Sequence, residues 1–272
     1  MSGSHSPPNQ PGCRGNNTSA FFCITPAISP ASTRRHSLAT MISIPLYLDK
    51  PHKCSYLDGL SAQFAYIHPD FSLNNEHYSQ LISQGFRRSG NHVYQPYYST
   101  CQKCIPARLA VDMFRPSRQQ RRTLKNNTDI EAIIKPAKFE QAHYDLYQLY
   151  QRSRHPDGEM ANTTKENYIN FLSSHWCNTL FVEFSCNNEL AGIAIVDLLD
   201  NALSAVYTFF DPKYSARSLG VYAVLWQIEH AKSLGLDWLY LGYWIENCQK
   251  MSYKINYQPM QGLIDNQWRS IP

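Results

Sequence analysis

The sequence lacks the long apolar run that a membrane-spanning helix needs, roughly 18 consecutive residues. The segment AFFCITPAIS (20–29) is short, is interrupted by Pro26 and is not followed by a small-residue cleavage site, so it is not a convincing secretory signal. Eight cysteines are scattered through 272 residues, a chain too large to depend on disulfides. These absences predict free thiols, a cytoplasmic location and no membrane partner.

A folded core is indicated by a hydrophobic fraction of 43% and an aromatic fraction of 13%, and the length suits one large or two modest domains. Residues 1–40 are rich in Ser, Pro, Asn and Gly without periodicity, which predicts disorder. Regular patterns begin after Met41, so we expect Met41 to be the functional start. We therefore predict a disordered extension over 1–40, a basic N-terminal α+β domain over 41–128 and a second domain over 129–272.

Positive charge is concentrated in one block of the first domain. Residues 86–125 contain nine basic residues and one acidic residue, Asp112, which leaves 16 basic and 20 acidic residues elsewhere. Such a localised excess is typical of surfaces that bind nucleic acid or another polyanion. A merely solvated face is the alternative, but the near absence of carboxylates disfavours it. We expect contacts with such a polyanion from Arg87, Arg88, Arg108, Arg115, Arg118, Arg121, Arg122 and Lys125.

The segment RPSRQQRRTLK (115–125) predicts a helix with a stripe of cationic side chains along one face. With Ser117 as the cap, basic residues recur at spacings of three, four and seven, which places them on one face. They are Arg118, Arg121, Arg122 and Lys125. An amphipathic helix normally presents an apolar stripe at this spacing, so a polyanion partner is indicated.

The second domain alternates helical and strand patterns. Helical spacing is present around 146–150 and 168–172, three strand-like runs cover 179–186, 189–199 and 202–210, and the pairs Asn187-Asn188 and Asp200-Asn201 suit hairpin turns with positive φ. A helix apolar on most sides follows over 218–233, then a strand over 237–244. This order resembles the GCN5-related N-acetyltransferase superfamily, so we expect an α+β fold with a GNAT-like C-terminal domain.

The cofactor signature of that superfamily is incomplete. The matching place reads Arg217-Ser218-Leu219-Gly220-Val221-Tyr222, and a tyrosine at the last position would obstruct a diphosphate at the helix N-terminus. We therefore expect the fold without a coenzyme A cofactor.

Several motifs resemble one family along most of the chain. They are GFRRSG (85–90), CIPARL (104–109), FRPSRQQRR (114–122), RHPDGEM (154–160), SAVYTFFDP (204–212), RSLGVYAVLWQIEHAKSLG (217–235) and LGYWIENCQKMSYK (241–254). Together they resemble the bacterial aspartate/glutamate leucyltransferases of the arginyl-tRNA–protein transferase family. The resemblance implies transfer of leucine from leucyl-tRNA to the α-amine of proteins beginning with Asp or Glu, which creates a degradation signal of the N-degron pathway. It also implies that the polyanion contacted by the basic residues of 86–125 is tRNA.

The implied chemistry is mild, because an α-amine has a pKa near 7.7 to 8.0 and the tRNA ester is activated. Positioning can supply much of the rate, so we expect no catalytic triad. Selecting Asp or Glu over Asn or Gln requires a cation, and the candidates are Arg154, His155, Lys250 and Lys254. Pairing with structural carboxylates is the alternative for Arg154 and Lys254.

Other candidates come from the same motifs. Asp211, Tyr207 and Tyr253 are candidate catalytic residues, although an aspartate before proline is also a common turn former. Tyr243 and Trp244 could line a leucine pocket or belong to the core, and Arg217 is a further candidate for substrate binding.

Cys101, Cys104 and Cys54 raise the question of a metal, which usually needs four ligands. Tyr98 and Leu57 stand where the family resemblance would place further cysteines, so buried or free thiols are favoured and no metal is expected. Two other functions stay open, an acetyl-CoA-dependent N-acetyltransferase and a non-catalytic RNA-binding module. The residues alone leave open whether leucine or arginine is transferred, which group accepts the proton, and the oligomeric state.

Overall fold

A computed structural model describes residues 20–24, 42–97, 101–154 and 163–271. The helices are α1 (Asn75–Ser83), α2 (Arg118–Lys125), α3 (Gln141–Arg154), α4 (Lys165–Leu172) and α5 (Leu219–Ser233). The strands are β1 (Ala20–Ile24), β2 (Ile42–Leu48), β3 (His52–Lys53), β4 (Ser61–Ala62), β5 (Phe64–Ile67), β6 (Arg87–Ser89), β7 (His92–Pro96), β8 (Ile105–Ala110), β9 (Ile130–Pro136), β10 (Thr179–Cys186), β11 (Glu189–Leu199), β12 (Ala202–Phe210), β13 (Trp238–Trp244), β14 (Met260–Ile264) and β15 (Gln267–Ser270). Two 3-10 segments cover Pro212–Arg217 and Ser252–Asn256.

The first sheet has five strands in the order β1-β2-β5-β7-β6, all antiparallel, and it packs with α1 around a small core. Within the segment expected to be disordered, Ala20–Ile24 forms a strand that pairs with β2 from Ala20↔Leu46 to Ile24↔Ile42; residues 1–19 and 25–40 of that prediction lie outside the described residues. Composition predicted disorder there, but a run of five apolar residues beside an unpaired strand edge satisfies its backbone by pairing.

The second sheet has eight strands in the order β15-β14-β8-β13-β12-β11-β10-β9. Its three central hairpin strands have the bounds that the alternating pattern predicts, and Asn187 and Asn188 adopt the expected positive φ of 51° and 63°. The turn at Asp200-Asn201 forms without positive φ. Apolar side chains of this sheet pack with α3, α4 and α5 in the main core.

The predicted domain boundary near residue 128 does not separate the two sheets. β8 lies within the second sheet, between β13 and β14, and α2 packs against α5. The apolar residues Ala107, Leu109 and Val111 are fully buried in the main core, which explains why β8 belongs there. The basic block therefore spans both sheets rather than one small domain.

The two parallel strands at the centre, β12 and β13, separate after a short contact. They pair only at Ala202↔Trp238, Leu203↔Leu239 and Ser204↔Tyr240. β13 then has an irregularity between Tyr240 and Gly242, where Gly242 adopts φ 80°, a conformation that glycine adopts without steric cost. The separation opens a cleft in the middle of the sheet. Among the residues that the structure describes, no helix is both long and apolar enough to span a bilayer.

Candidate active-site cleft

The cleft lies where β12 and β13 part, and both halves of the chain contribute to its walls. Residues 204–208 of β12 form one side, Leu241 and Gly242 of β13 the other, and Gly220 and Val224 come from α5. The first sheet contributes Arg87, Arg88 and Tyr94, and the 3-10 segment after β13 contributes Tyr253 and Lys254.

Lys254 is the most unusual of these residues because its side chain is buried without a carboxylate partner. It is 1% exposed, and its Nζ donates a hydrogen bond to the backbone oxygen of Tyr243. Burial, reinforced by the positive charge of Arg87, lowers the pKa of Lys254 from 10.5 to about 7. Among the described residues no carboxylate oxygen lies within 4.0 Å of Nζ. The lysine therefore titrates near neutral pH.

Arg87 and Arg88 follow one another in β6 but have opposite electrostatic surroundings. Arg88 forms a buried ion pair with Asp197, with Nε to Oδ2 at 2.7 Å, and Thr179 contacts both partners. Burial alone would lower the pKa of Arg88, but the charge of Asp197 and its hydrogen bonds raise it. The pair joins the first sheet to β11 in the second.

Among the described residues, the hydrogen-bond partners of Arg87 are all backbone oxygens. Its guanidinium donates to the carbonyl oxygens of Phe86 at 2.7 Å and, at 3.4 Å, of Ile82, Ala107 and Gly242. Its Nε is buried without a hydrogen-bond acceptor, and its Cζ lies 5.3 and 5.6 Å from the ring centroids of Tyr240 and Tyr243.

Both arginines are 5% exposed, so the expectation that Arg87 and Arg88 lie on a surface facing tRNA is wrong. Sequence reasoning missed their burial because Asp197, the residue that neutralises Arg88, is 109 positions away.

Tyr207 and Tyr253 line the cleft, and their catalytic role stays a prediction. The Tyr207 hydroxyl accepts a hydrogen bond of 2.8 Å from Nε2 of Gln151, a fully buried side chain of α3. No sequence signal distinguishes Gln151, since a polar residue inside a helix usually faces solvent. Asp211 instead caps the segment Pro212–Arg217 by accepting from the Lys213 backbone at 2.9 Å, which matches the turn-forming alternative.

The remaining substrate-binding candidates lie outside the cleft lining. Arg154 is exposed at the end of α3, with its Cζ 5.8 Å from the Phe210 ring, and Lys250 is exposed. His155 lies outside the described residues. Tyr243 and Trp244 are buried, and the Tyr243 hydroxyl donates to the Gly85 oxygen at 2.9 Å, so both contribute to packing.

The Arg217 side chain binds other side chains of the protein. Its guanidinium pairs with Asp129, with Nη1 to Oδ2 at 3.1 Å, and its Nε donates to Oδ1 of Asn127 at 3.0 Å. The hydrogen bonds from Arg217 lower the pKa of Asp129 to about 2. Tyr222 packs edge-on against Phe184 in the main core, at 5.5 Å between ring centroids. Whether it also obstructs a diphosphate stays a prediction.

The cationic helix forms as predicted. Ser117 accepts from the Gln120 backbone at 3.3 Å while the Gln120 side chain accepts from the Ser117 backbone at 2.8 Å, a complete capping box. Gln120 and Thr123 are buried against the protein. The outward residues Arg118, Arg121, Arg122 and Lys125, with Arg115 before them, are exposed, and no carboxylate of the described residues lies within 4.0 Å of them.

Arg108 belongs to a different environment. It stacks between Trp238 and Trp268, with its Cζ 3.5 and 4.2 Å from the two ring centroids, and Nε donates to Gln261 Oε1 at 2.9 Å. It is half-buried, so the expectation of a tRNA contact from Arg108 has no support in its packing. We define the cationic surface as Arg115, Arg118, Arg121, Arg122 and Lys125.

No three cysteine sulfurs of the described residues all lie within 4.8 Å of one another, and the absence of a metal at the cysteines stays a prediction. Cys54, Cys101 and Cys248 are free thiols, and burial together with the charges of these three neighbours raises the pKa of Cys104 to about 12. The described residues contain one group of ligand atoms all within 4.8 Å, from Glu140, His143 and Glu183. Lys135 also pairs with Glu183 at 2.7 Å, so these charges already neutralise one another.

Two family models match the chain, "Arginine-tRNA-protein transferase, N terminus" over residues 52–122 and "Arginine-tRNA-protein transferase, C terminus" over residues 142–264. A protein of Marinobacter nauticus named aspartate/glutamate leucyltransferase is 44% identical over 234 residues, covering 86% of this chain and 99% of that protein. One of Saccharophagus degradans with the same name is 47% identical over 226 residues, covering 83% and 96%.

A solved structure, that of L-PGS from Bacillus licheniformis, covers 60% of this chain and 59% of its own at 12% identity and a TM-score of 0.43. This likeness is too weak to support an argument about the fold. The relatives in sequence, by contrast, match nearly end to end, and both family models lie in order along the described chain. The chain belongs to the arginine-tRNA-protein transferase family.

Proposed function

We propose that this protein transfers leucine from leucyl-tRNA to the α-amine of proteins beginning with Asp or Glu, and so marks them for degradation through the N-degron pathway. The names of its relatives supply the donor and the acceptor. The observation on this chain that carries the proposal is the position of the cationic surface beside the cleft.

Two hydrogen bonds fix that position. Nε2 of Gln120, on the inner face of α2, donates to the backbone oxygen of Asn256 at 3.0 Å, in the same 3-10 segment that carries Tyr253 and Lys254. At the other end of the helix, Nδ2 of Asn127 donates to the Arg217 oxygen at 2.9 Å, just before α5. A tRNA held on α2 would therefore present its aminoacyl end close to the cleft.

The cleft suits acyl transfer because it opens beside α5 between two strands that part. In this proposal the second sheet works as a GNAT-like acyltransferase domain in which the aminoacyl ester takes the place of an acyl-thioester donor. The deprotonated α-amine of the acceptor attacks the ester carbonyl carbon, an amide bond forms, and the bond to the ribose oxygen breaks. The amine loses a proton and the ribose oxygen gains one, so the reaction needs no other reactant.

Tyr207 and Tyr253 are the groups that we propose to hydrogen-bond to the reacting atoms. The Gln151 side chain orients the Tyr207 hydroxyl, and a fixed donor stabilises developing negative charge better than a mobile one. We propose that the amine is brought to the ester by binding rather than activated by a triad, which is consistent with the pKa of α-amines.

The test is transfer by the purified protein. Leucyl-tRNA and arginyl-tRNA are each incubated with peptides beginning with Asp, Glu, Asn and Lys, and the products are identified by mass. We expect leucine on the Asp and Glu peptides only. Transfer from arginyl-tRNA instead would assign the other donor, and a rise in melting temperature with acetyl-CoA, without peptide aminoacylation, would replace the proposal by an acetyltransferase.

A further inference from the structure

The cleft contains two basic side chains with no carboxylate partner among the described residues. Arg87 and Lys254 both line it, are 5% and 1% exposed, and contact only backbone oxygens among the hydrogen-bond partners of the described residues. Burying a cation without an anion costs several kcal/mol, and two neighbouring cations also repel one another. Such an arrangement is stabilised by whatever anion enters the cleft.

Arg88 provides the internal comparison. It is equally buried and lines the same cleft, but Asp197 neutralises it with two oxygens at hydrogen-bond distance. Of the two arginines of β6, Arg88 therefore has a carboxylate partner, whereas Arg87 has none among the described residues. Arg87 has, in addition, a buried Nε with no acceptor. The unmatched charge is thus local to Arg87 and Lys254 rather than a general property of this part of the core.

From this geometry we infer that Arg87 and Lys254 bind the side-chain carboxylate of the acceptor's N-terminal residue and so determine the preference for Asp and Glu. The inference rests on the proposed function and assigns its selectivity to residues. Arg87 comes from the first sheet and Lys254 from the segment after β13, so the carboxylate would bind between the two halves of the chain.

The burial of Arg87 and Lys254 limits the size of the anion that can reach them. A carboxylate on one or two methylene groups can reach cations that are 5% and 1% exposed, whereas a phosphodiester flanked by two riboses cannot do so without opening the strands. The Arg87 guanidinium lies against the rings of Tyr240 and Tyr243, and its buried Nε, which has no acceptor among the described residues, is a donor left for a carboxylate oxygen. Phosphate of the tRNA is the competing anion, and the test below separates the two.

The experiment compares kcat/KM for peptides that begin with Asp and with Asn, which differ by one charge in nearly the same shape. We expect Arg87→Gln and Lys254→Met each to lower the Asp-to-Asn ratio by roughly 10- to 100-fold, the worth of a hydrogen bond to a charged group. Arg87→Lys should keep part of the ratio. The matched controls are Lys138→Met and Arg269→Gln, at exposed positions, which should leave it unchanged.

Melting temperatures are recorded for every variant, and if Arg87→Gln does not fold, Arg87→Lys and Lys254→Met decide. An unchanged Asp-to-Asn ratio in folded variants overturns the inference. Equal losses for both peptides, together with a smaller salt dependence of tRNA binding, would assign the two cations to tRNA and also overturn it. A wild-type protein that transfers leucine to neither Asp nor Glu refutes the proposed function itself, an outcome visible before any variant is made.

Discussion

Neutralising three arginines of α2 should weaken tRNA binding in a way that salt reveals. Arg118, Arg121 and Arg122 are exposed, and none has a carboxylate of the described residues within 4.0 Å, so their charge is free to displace counterions from RNA. Each phosphate contact contributes about 0.7 to 0.9 to the slope of log affinity against log salt. The variant Arg118→Gln/Arg121→Gln/Arg122→Gln should therefore have a slope smaller by about 2 to 3.

Over a fourfold increase in salt, the wild-type protein should lose roughly 20- to 40-fold more affinity than the variant. Glutamine suits the change because its helix propensity is close to that of arginine, and the capping box of Ser117 and Gln120 is left intact. Binding of leucyl-tRNA is measured by fluorescence anisotropy between about 50 and 200 mM salt, the range over which phosphate contacts dominate.

A control with the same change of net charge is Lys50→Gln/Lys53→Gln/Lys138→Gln, at exposed positions away from α2. If both triple variants change the slope equally, binding responds to net charge and α2 is not the contact surface. If neither changes it, the cationic surface does not bind tRNA, and the assignment is refuted.

Three other predictions concern charges in the structure. Asp197→Asn leaves Arg88 buried without its anion, so we expect a loss of about 3 to 5 kcal/mol in the free energy of unfolding, measured with denaturant; a loss below 1 kcal/mol would contradict the ion pair. The depressed pKa of Lys254, about 7 against 10.5, predicts that the wild-type free energy of unfolding rises between these pH values, by up to roughly 5 kcal/mol, because the folded protein has released a proton that the unfolded chain retains. Lys254→Met should lack this rise. If the free energies of unfolding of both proteins changed equally between pH 7 and 10, the burial of the Lys254 amine would be contradicted. Arg217→Gln should raise the pKa of Asp129, which is about 2 in the wild type. In the wild type the ionised carboxylate stabilises the fold above its unfolded pKa, and this stabilisation is lost as the pH falls toward 2. Acid unfolding of the variant, followed by circular dichroism, should therefore begin at a higher pH than that of the wild type.

The elements that the sequence predicts well are those fixed by local patterns. The strands 179–186, 189–199 and 202–210 have the predicted bounds because period-two alternation and short polar turns are encoded within each hairpin. The helix at 118–125 was predictable for the same reason, since Ser117 and Gln120 form its capping box within four residues. For the cleft, Tyr207, Tyr253 and Lys254 were identified as site residues and line it together.

Features that depend on distant partners could not be predicted. The burial of Arg87 and Arg88 requires knowing that α1, β8 and β13 surround β6, and the chain pattern near β6 shows only positive charge. The placement of β8 in the second sheet is of the same kind, because a strand of six residues has no local signal for which neighbours it will join. The sequence left two roles open for Asp211; the structure shows its cap on the Lys213 backbone, and its catalytic role stays a prediction.

The two groups of charge in the basic block therefore have different physical meanings. Arg87 and Arg88 are both removed from water, and a buried charge costs several kcal/mol. Asp197 neutralises Arg88, whereas the charge of Arg87 can act on a group that enters the protein. The arginines of α2 remain in water, where a charge is inexpensive, is screened by salt and acts on a large polyanion at the surface. In the proposed function, one kind would bind the RNA and the other the acidic side chain, and Gln120 ties α2 to the segment that carries Lys254. Removing the hydrogen bond from Gln120 should leave the affinity for tRNA unchanged while lowering the rate of leucine transfer. This result would separate recognition of the tRNA from delivery of its aminoacyl end to the cleft.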